Sequence, residues 1–195
     1  MKTYLSKIIL LATITLTFSC KAQQVYPLNT DYETVPNNSY LKDLNSELER
    51  YIGVYKTNYG GNEITLFITK DNQRLIKRAN KNFYRDILII RYMIKNSFGN
   101  VLQDIQNMTF PDNQPSHHFI ESIATNPLQN TVTFIYSGTN CGIGWGKIIL
   151  KKLNDTQISW IYRPNGSATT DENCPGNPDK TVYLPDTENL VFTKQ

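Results

Sequence analysis

The run Tyr51-Ile-Gly-Val-Tyr-Lys56, continued by Asn58-Tyr-Gly-Gly-Asn62 and Glu63-Ile-Thr-Leu-Phe-Ile-Thr-Lys70, decides the fold class. Two stretches rich in β-branched and aromatic residues flank a five-residue connection centred on Gly60-Gly61, where positive φ costs little. The pattern predicts a β-hairpin. In its second limb Ile64, Leu66 and Ile68 alternate with Thr65, Phe67 and Thr69, the period of a half-buried strand.

Working outward, the same signals recur to the end of the chain. Phe83–Lys95 is a long apolar run interrupted by Arg85, Asp86 and Arg91 and reads as a long strand, while residues 71–82 hold either a short strand at Arg74–Lys77 or a loop. Val101–Gln106, His118–Ala124, Thr131–Ser137, Gly144–Leu153, Gln157–Tyr162, Thr181–Leu184 and Leu190–Thr193 read as further strands, separated by turn-rich segments. Upstream, Ser39–Tyr51 is the one predicted helix: Ser39 can cap it, and Leu41, Leu44, Leu48 and Tyr51 form one apolar stripe. Strands at this spacing behind a single helix predict an all-β, mainly antiparallel barrel or closely related sandwich of about 8–10 strands, with one short N-terminal helix. Residues 39–195 are expected to form a single domain.

The first twenty residues speak to location. Lys2 and Lys7 precede an apolar core, Ile8–Phe18, that is too short for a permanent membrane span. Leu16-Thr-Phe-Ser-Cys20 then resembles a bacterial lipobox, with Thr17 where Leu is usual. The resemblance implies a signal peptide over residues 1–19, diacylation of Cys20, and residues 20–38 as anchor and tether. The alternative is ordinary signal cleavage. Lys21–Gln24 lacks an acidic run resembling surface-export signals, which favours the periplasmic side of an outer membrane.

Removing residues 1–20 takes away two lysines and no acids, leaving 18 basic and 17 acidic residues, so no global charge argument for nucleic acid survives. Charge is nevertheless segregated: residues 70–95 hold eight Lys or Arg against two Asp. Within that band Arg74, Lys77, Arg78, Lys81 and Arg85 are a candidate surface for an anionic glycan, lipid head group or acidic partner, with Phe83, Tyr84 and Tyr92 as aromatic companions. The plain alternative is a solvated hairpin face on which lysines discourage edge pairing. With Cys20 assigned to lipid, Cys141 and Cys174 are an even pair in an oxidising compartment and are expected to form a disulfide, two buried free thiols being the alternative.

Motifs for chemistry are few. Adjacent His117 and His118 point to opposite faces of a strand and have no partner at metal-ligand spacing, so both are expected at the surface. Cys141-Gly-Ile-Gly-Trp-Gly146 lacks the parallel strand and helix that a phosphate cradle needs, and it reads as a turn or bulge around the disulfide. Asp171, Glu172, Asn173, Asn177 and Asp179 do not follow a calcium-loop spacing. No nucleophile elbow, paired-carboxylate or cofactor signature is present, so neither metal nor cofactor is expected and a hydrolase ranks last.

Ser19–Gln23, Glu47–Lys56, Asn62–Lys70 and Tyr84–Lys95 together look like a family of lipoproteins of unknown function from Bacteroidota. That resemblance implies location and fold but no activity. Gly53-Val-Tyr55 leading into a hairpin is also similar to the Gly-x-Trp opening of lipocalin-like barrels, with Tyr55 in place of Trp. It implies a barrel whose cavity would be lined by Tyr55, Ile64, Leu66, Ile68, Trp160 and Tyr162 and would hold a small apolar molecule. The expected function is therefore a lipid-anchored, non-enzymatic envelope binding module. The alternative is a protein-interaction or inhibitor module acting through the basic band or the loop 163–180.

Overall fold

The computed structural model describes residues 22–112, 116–176 and 178–195. Eleven strands follow one another: β1 (Val25–Pro27), β2 (Tyr40–Lys42), β3 (Gly53–Tyr59), β4 (Asn62–Arg78), β5 (Lys81–Lys95), β6 (Val101–Asp104), β7 (Ile120–Asn126), β8 (Thr131–Tyr136), β9 (Gly146–Lys152), β10 (Gln157–Pro164) and β11 (Thr187–Lys194). Hydrogen bonding runs β5-β4-β3-β11-β10-β9-β8-β7 and returns to β5, so eight antiparallel strands close into a barrel. Among the strands of the described residues, β1, β2 and β6 lie outside that ring.

The opening hairpin is confirmed and tightened. β3 and β4 pair from Gly53↔Ile68 to Tyr59↔Asn62, leaving Gly60 and Gly61 as a two-residue turn. Their φ values of 57° and 81° are those a primed hairpin turn requires. Each limb is longer than the alternation alone indicates. β4 runs through the segment 71–82 that the sequence leaves between strand and loop, and β4 and β5 pair down to Arg78↔Lys81.

A β-bulge divides this long hairpin. Asp71 faces Ile87 and Arg74 faces Arg85, so Asn72 and Gln73 oppose Asp86 alone. One extra residue reverses the in–out phase of β4. Before the bulge Ile64, Leu66 and Ile68 face Ile94, Tyr92 and Ile90, all buried in the barrel. Beyond it Arg74, Ile76 and Arg78 pair with Arg85, Phe83 and Lys81, on the opposite face of β5. The hairpin thus leaves the barrel as an arm.

The predicted helix does not form. Ser39–Tyr51 contains β2, a turn and a single 3₁₀ turn, Glu49–Tyr51. Leu44, on the expected stripe, is 55% exposed, whereas Leu41 and Leu48 are buried. Asp43 takes the place of a cap: its carboxylate accepts the backbone N–H groups of Glu47 and Leu48 at 2.7 and 3.1 Å and receives Lys70 Nζ at 3.1 Å. Ser39 instead donates to the Pro36 carbonyl at 2.7 Å. Residues with short polar side chains favour such turns over a helix interior, and the open edge of β5 draws Tyr40 and Leu41 into parallel pairing with Tyr84 and Arg85. The expected tether is likewise ordered from Ala22 onward. β1 pairs with β2, and Leu28 and Val35 are buried, so residues 22–38 form a strap across the arm. Thr181–Leu184, expected as a strand, is irregular.

Asp86, opposite the bulge, ties strap to arm. Its buried carboxylate accepts from Tyr40 Oη at 2.5 Å, Asp43 N–H at 2.9 Å and Gln73 N–H at 3.0 Å. Burial, then the hydrogen bond to the Asp86 carboxylate, pushes the Tyr40 phenol above its ordinary pKa.

Candidate functional site

The basic band is split by strand register into parts with different jobs. Arg74, Arg78, Lys81 and Arg85 share the outward face of the arm, while Lys77, opposite Asn82, lies on the other face. Arg74 is not a surface residue. It is 6% exposed and holds the loop that precedes β7: Nη1 meets Asp71 at 2.9 Å and Asp112 at 3.6 Å, and Nη2 donates to the Phe110 and Pro111 carbonyls at 2.8 and 3.1 Å. Its guanidinium also lies 4.9 Å from the Phe119 ring centre. The reading of Arg74 as part of an anionic-partner surface is corrected on that ground, because its donors are already engaged. Lys81 holds the strap, donating Nζ to the carbonyls of Tyr32, Glu33 and Val35.

Arg78 and Arg85 remain. Arg78 is exposed and sits 5.4 Å over the Tyr32 ring, which stacks on Phe83 with ring centres 5.3 Å apart. Arg85 is half-buried, and among the described residues its guanidinium makes no hydrogen bond or ion pair. Burial, then the neighbouring Arg78, pushes its pKa down. An arginine still keeps its charge under such pressure. Glu121 stands on the same outer wall, where β7 meets β5 through Ile89↔Glu121. Burial raises the pKa of its carboxyl against the pull of Arg74, Arg78 and Arg85.

These groups surround a notch of about 60 Å³ with an apolar wall of Ile76, Phe83 and Ile87. That volume accommodates one or two waters or a single oxyanion. Two guanidiniums beside a low-dielectric wall form a receptor for a carboxylate, sulfate or phosphate, and Glu121 would accept from a hydroxyl or amine carried by the same ligand. The sequence points to the cations. It does not point to Tyr32, 46 residues before Arg78, or to Glu121, 36 residues after Arg85, which reach the notch only through the strap and the barrel seam. In β7 the buried Ile120 and Ser122 leave Glu121 on the outer side, and that alternation is the one local signal for it.

The proposed cavity is filled. Tyr55, Ile64, Leu66, Ile68, Trp160 and Tyr162 are each 0–1% exposed and belong to one core cluster. A side chain facing a void of water size would present surface to it, and these present none. Trp160 packs at 6.2 Å from Tyr162 and 5.8 Å from Phe192, while Tyr162 packs at 6.0 Å from Tyr136. The six residues come together as predicted, but as packed interior and not as the lining of a ligand pocket, because aromatic rings span the barrel. Their polar tips are met by the loops: Trp160 Nε1 donates to the Pro185 carbonyl at 3.0 Å and Tyr162 Oη to that of Gly144. Tyr55 is the exception, its buried hydroxyl having no hydrogen-bond partner among the described residues.

Cys141 and Cys174 form the expected disulfide, 33 residues apart. It ties the loop 165–186 to the Gly-rich segment. Gly144 allows the close approach, since a Cβ there would stand 2.6 Å from Val182 and 3.1 Å from Tyr162 Oη. His117 is exposed as expected, but His118 is not. It is buried, with Nδ1 3.1 Å from Tyr92 Oη and 3.3 Å from Gln103 Nε2. With the Gln103 amide nitrogen facing it, Nδ1 acts as the acceptor, the arrangement of a neutral ring protonated at Nε2. His118 lies before β7 begins, so the strand alternation used for the pair does not apply.

The sequence profile of a family of unknown function, DUF6705, matches residues 1–195. The chain belongs to that family. Comparison with curated proteins and with solved structures returns no match. For DUF6705, then, the closed eight-strand barrel, the bulged arm and the strap are the frame on which any functional reading rests.

Proposed function

We propose that this DUF6705 protein is a lipid-anchored, non-enzymatic binding module of the cell envelope, tethered through Cys20 on the periplasmic side of the outer membrane, that takes an oxyanion at the Arg78–Arg85 notch. One observation carries the binding part: Arg85 is a half-buried cation facing a notch with no hydrogen-bonded partner among the described residues. Burying a guanidinium without a hydrogen-bonded partner is costly even with Glu121 on the same wall, and a site that tolerates it is suited to receive the opposite charge. The anchor rests on the lipobox resemblance, and Cys20 itself lies outside the described residues.

Two experiments test the reading. Titration with inorganic phosphate and sulfate, followed by NMR of the arginine Nε–H groups, should shift Arg85 and Arg78. Arg85→Met should abolish the shift without changing the melting temperature; identical titrations would remove the site. Labelling cells with a palmitate analogue should mark the wild type, and a label that persists in Cys20→Ala would remove the anchor.

A second reading has its own support. The opposite end of the barrel exposes Phe98, Trp145 and Tyr59, at 87%, 47% and 41%, on or beside three different turns. That favours a protein-interaction module acting through its loops. Cross-linking from Ser97→Cys in intact cells should capture a protein if this end is the functional one, and only unmodified monomer otherwise.

A further inference from the structure

A second cleft opens where the segment 45–51 meets the β7–β8 turn, and it shares no lining residue with the Arg78–Arg85 notch. Its volume is about 170 Å³, and Glu47, Arg50, Tyr51, Thr125 and Thr131 are on its walls. That is room for about five waters or for one small organic ion.

The two charges of this cleft are kept apart. Glu47 and Arg50 are three residues from each other, yet no ion pair joins them, and neither is in an ion pair with any other group among the described residues. Neutral donors fix the half-buried Glu47 carboxylate: Asn29 Nδ2 at 3.1 Å and Thr125 Oγ1 reach Oε2, and Asn45 Nδ2 reaches Oε1 at 3.4 Å. They orient the carboxylate without neutralising it and leave acceptor capacity on Oε1. Its backbone is held as well, since Glu47 N–H donates to Asp43 at 2.7 Å. Arg50 is positioned by one bond, Nη1 to Asn130 Oδ1 at 2.9 Å. Its other guanidinium donors make no hydrogen bond among the described residues. Lys152, close enough to Arg50 to feel its charge, makes that side the more positive.

Tyr51 adds a third group. It is 2% exposed, yet it lines the cleft, and its hydroxyl has no hydrogen-bond partner among the described residues. A buried phenol left so costs stability that a bound acceptor would restore. Burial pushes its pKa up to about 12 against the pull of Arg50, so at neutral pH it is a donor.

We propose that this cleft binds a small zwitterion, an α-amino acid of the size of glycine or alanine, with its carboxylate on Arg50 and the Tyr51 hydroxyl and its ammonium on Glu47. A simple anion would meet the unneutralised Glu47, and a simple cation would meet Arg50. A ligand with both signs satisfies both walls and the orphaned hydroxyl.

The test is an NMR titration of the full-length chain in mild detergent, following Arg50 Nε–H and the Thr131 amide. Glycine and L-alanine should give saturable shifts. Acetate, methylammonium and N-acetylglycine, each lacking one charge, should bind at least ~10-fold more weakly. Arg50→Met and Glu47→Gln should each weaken glycine by about 10–100-fold, the factor for losing a charged hydrogen-bonded contact, and Tyr51→Phe by about 3–10-fold. Arg85→Met should leave glycine binding unchanged. Glu47 also braces Asn29 and Thr125, so Glu47→Gln counts only if its melting temperature is retained. N-acetylglycine asks the same question from the ligand side and needs no variant. No saturable shift with glycine would overturn the site. Equal binding of acetate or N-acetylglycine would overturn the zwitterion and leave an anion site, and equal binding of methylammonium would overturn it in favour of a cation.

Discussion

Asp86→Ala should detach the strap from the arm before it unfolds the barrel. The Asp86 carboxylate accepts three hydrogen bonds, from Tyr40 Oη, Asp43 N–H and Gln73 N–H, at 2.5 to 3.0 Å, and is itself buried. Removing the acceptor leaves two backbone donors and one phenol without a partner, at roughly 1–3 kcal/mol each where water cannot reach them. The arm is half-wetted, so the lower end of that range applies and the total is about 3 kcal/mol. In a chain of this size that corresponds to a fall in melting temperature of about 6–12 °C. Asp86→Asn keeps the shape but turns an amide N–H₂ towards a donor, and should cost about half as much. The loss should be local first, because the small cluster of Val35, Leu41 and Phe83 that joins strap to arm is separate from the main core, to which the strap contributes Leu28. Hydrogen exchange of peptides covering 22–48 and 70–88 should accelerate in Asp86→Ala while β8–β10 keep their protection. An unchanged melting temperature with unchanged exchange over 39–48 would refute the argument, since three satisfied bonds to a buried carboxylate would then contribute nothing.

Three other perturbations follow from the same geometry. Tyr55→Phe removes a buried hydroxyl that has no partner among the described residues and should leave the protein equally stable or about 1 kcal/mol more stable, whereas Tyr55→Ala should cost about 3–5 kcal/mol in urea melts. His118 is held neutral, its pKa lowered by burial and by His117. The unfolded chain therefore binds the extra proton, so stability is full above the unfolded value near pH 6.5 and is lost as pH falls through the lowered folded value. His118→Gln should flatten that dependence between pH 7.5 and 5, and a parallel curve for the variant would rule out His118 as its source. Cys141→Ser with Cys174→Ser opens a 33-residue loop and should cost about 3–4 kcal/mol on the chain-entropy account, seen as a lower urea midpoint; an unchanged midpoint would mean the loop is held by other contacts.

The sequence made the barrel legible where structure is local. The Gly60-Gly61 hairpin, the alternation of Ile64, Leu66 and Ile68, and the shared face of Ile158, Trp160 and Tyr162 all reappear as inward strand positions. The disulfide was legible from the cysteine count and the expected export. What could not be read depends on partners far along the chain. Leu41, Leu44 and Leu48 satisfy a helical period, but Leu41 is claimed by β5, more than 40 residues on, and Leu44 is left in solvent. Arg74 looks like a surface cation until Asp112 and the Phe110 carbonyl arrive from the loop before β7. A cavity and a packed interior have the same alternation, so the pattern of Tyr55, Trp160 and Tyr162 could not decide between them. Ring size could have: with this many aromatic side chains inward, an eight-strand barrel fills.

The bulge is where these two kinds of information meet. Had β4 kept its phase past Asp71, Arg74, Ile76 and Arg78 would continue the inward row of Ile64, Leu66 and Ile68, placing guanidiniums in line with the core. The extra residue turns that row outward, and the composition changes at the same point: Ile87–Ile90 are buried on β5, whereas Arg74 to Arg85 is the basic stretch. Charge segregation along the chain is therefore not a property of the barrel surface as a whole. It marks the part of one hairpin that is no longer barrel, held in place by the Asp86 carboxylate, the Lys81 ammonium and the strap. Arg85, whose guanidinium makes no hydrogen bond or ion pair among the described residues, belongs to that part, which is why the arm and not the barrel interior is the place to look for a ligand.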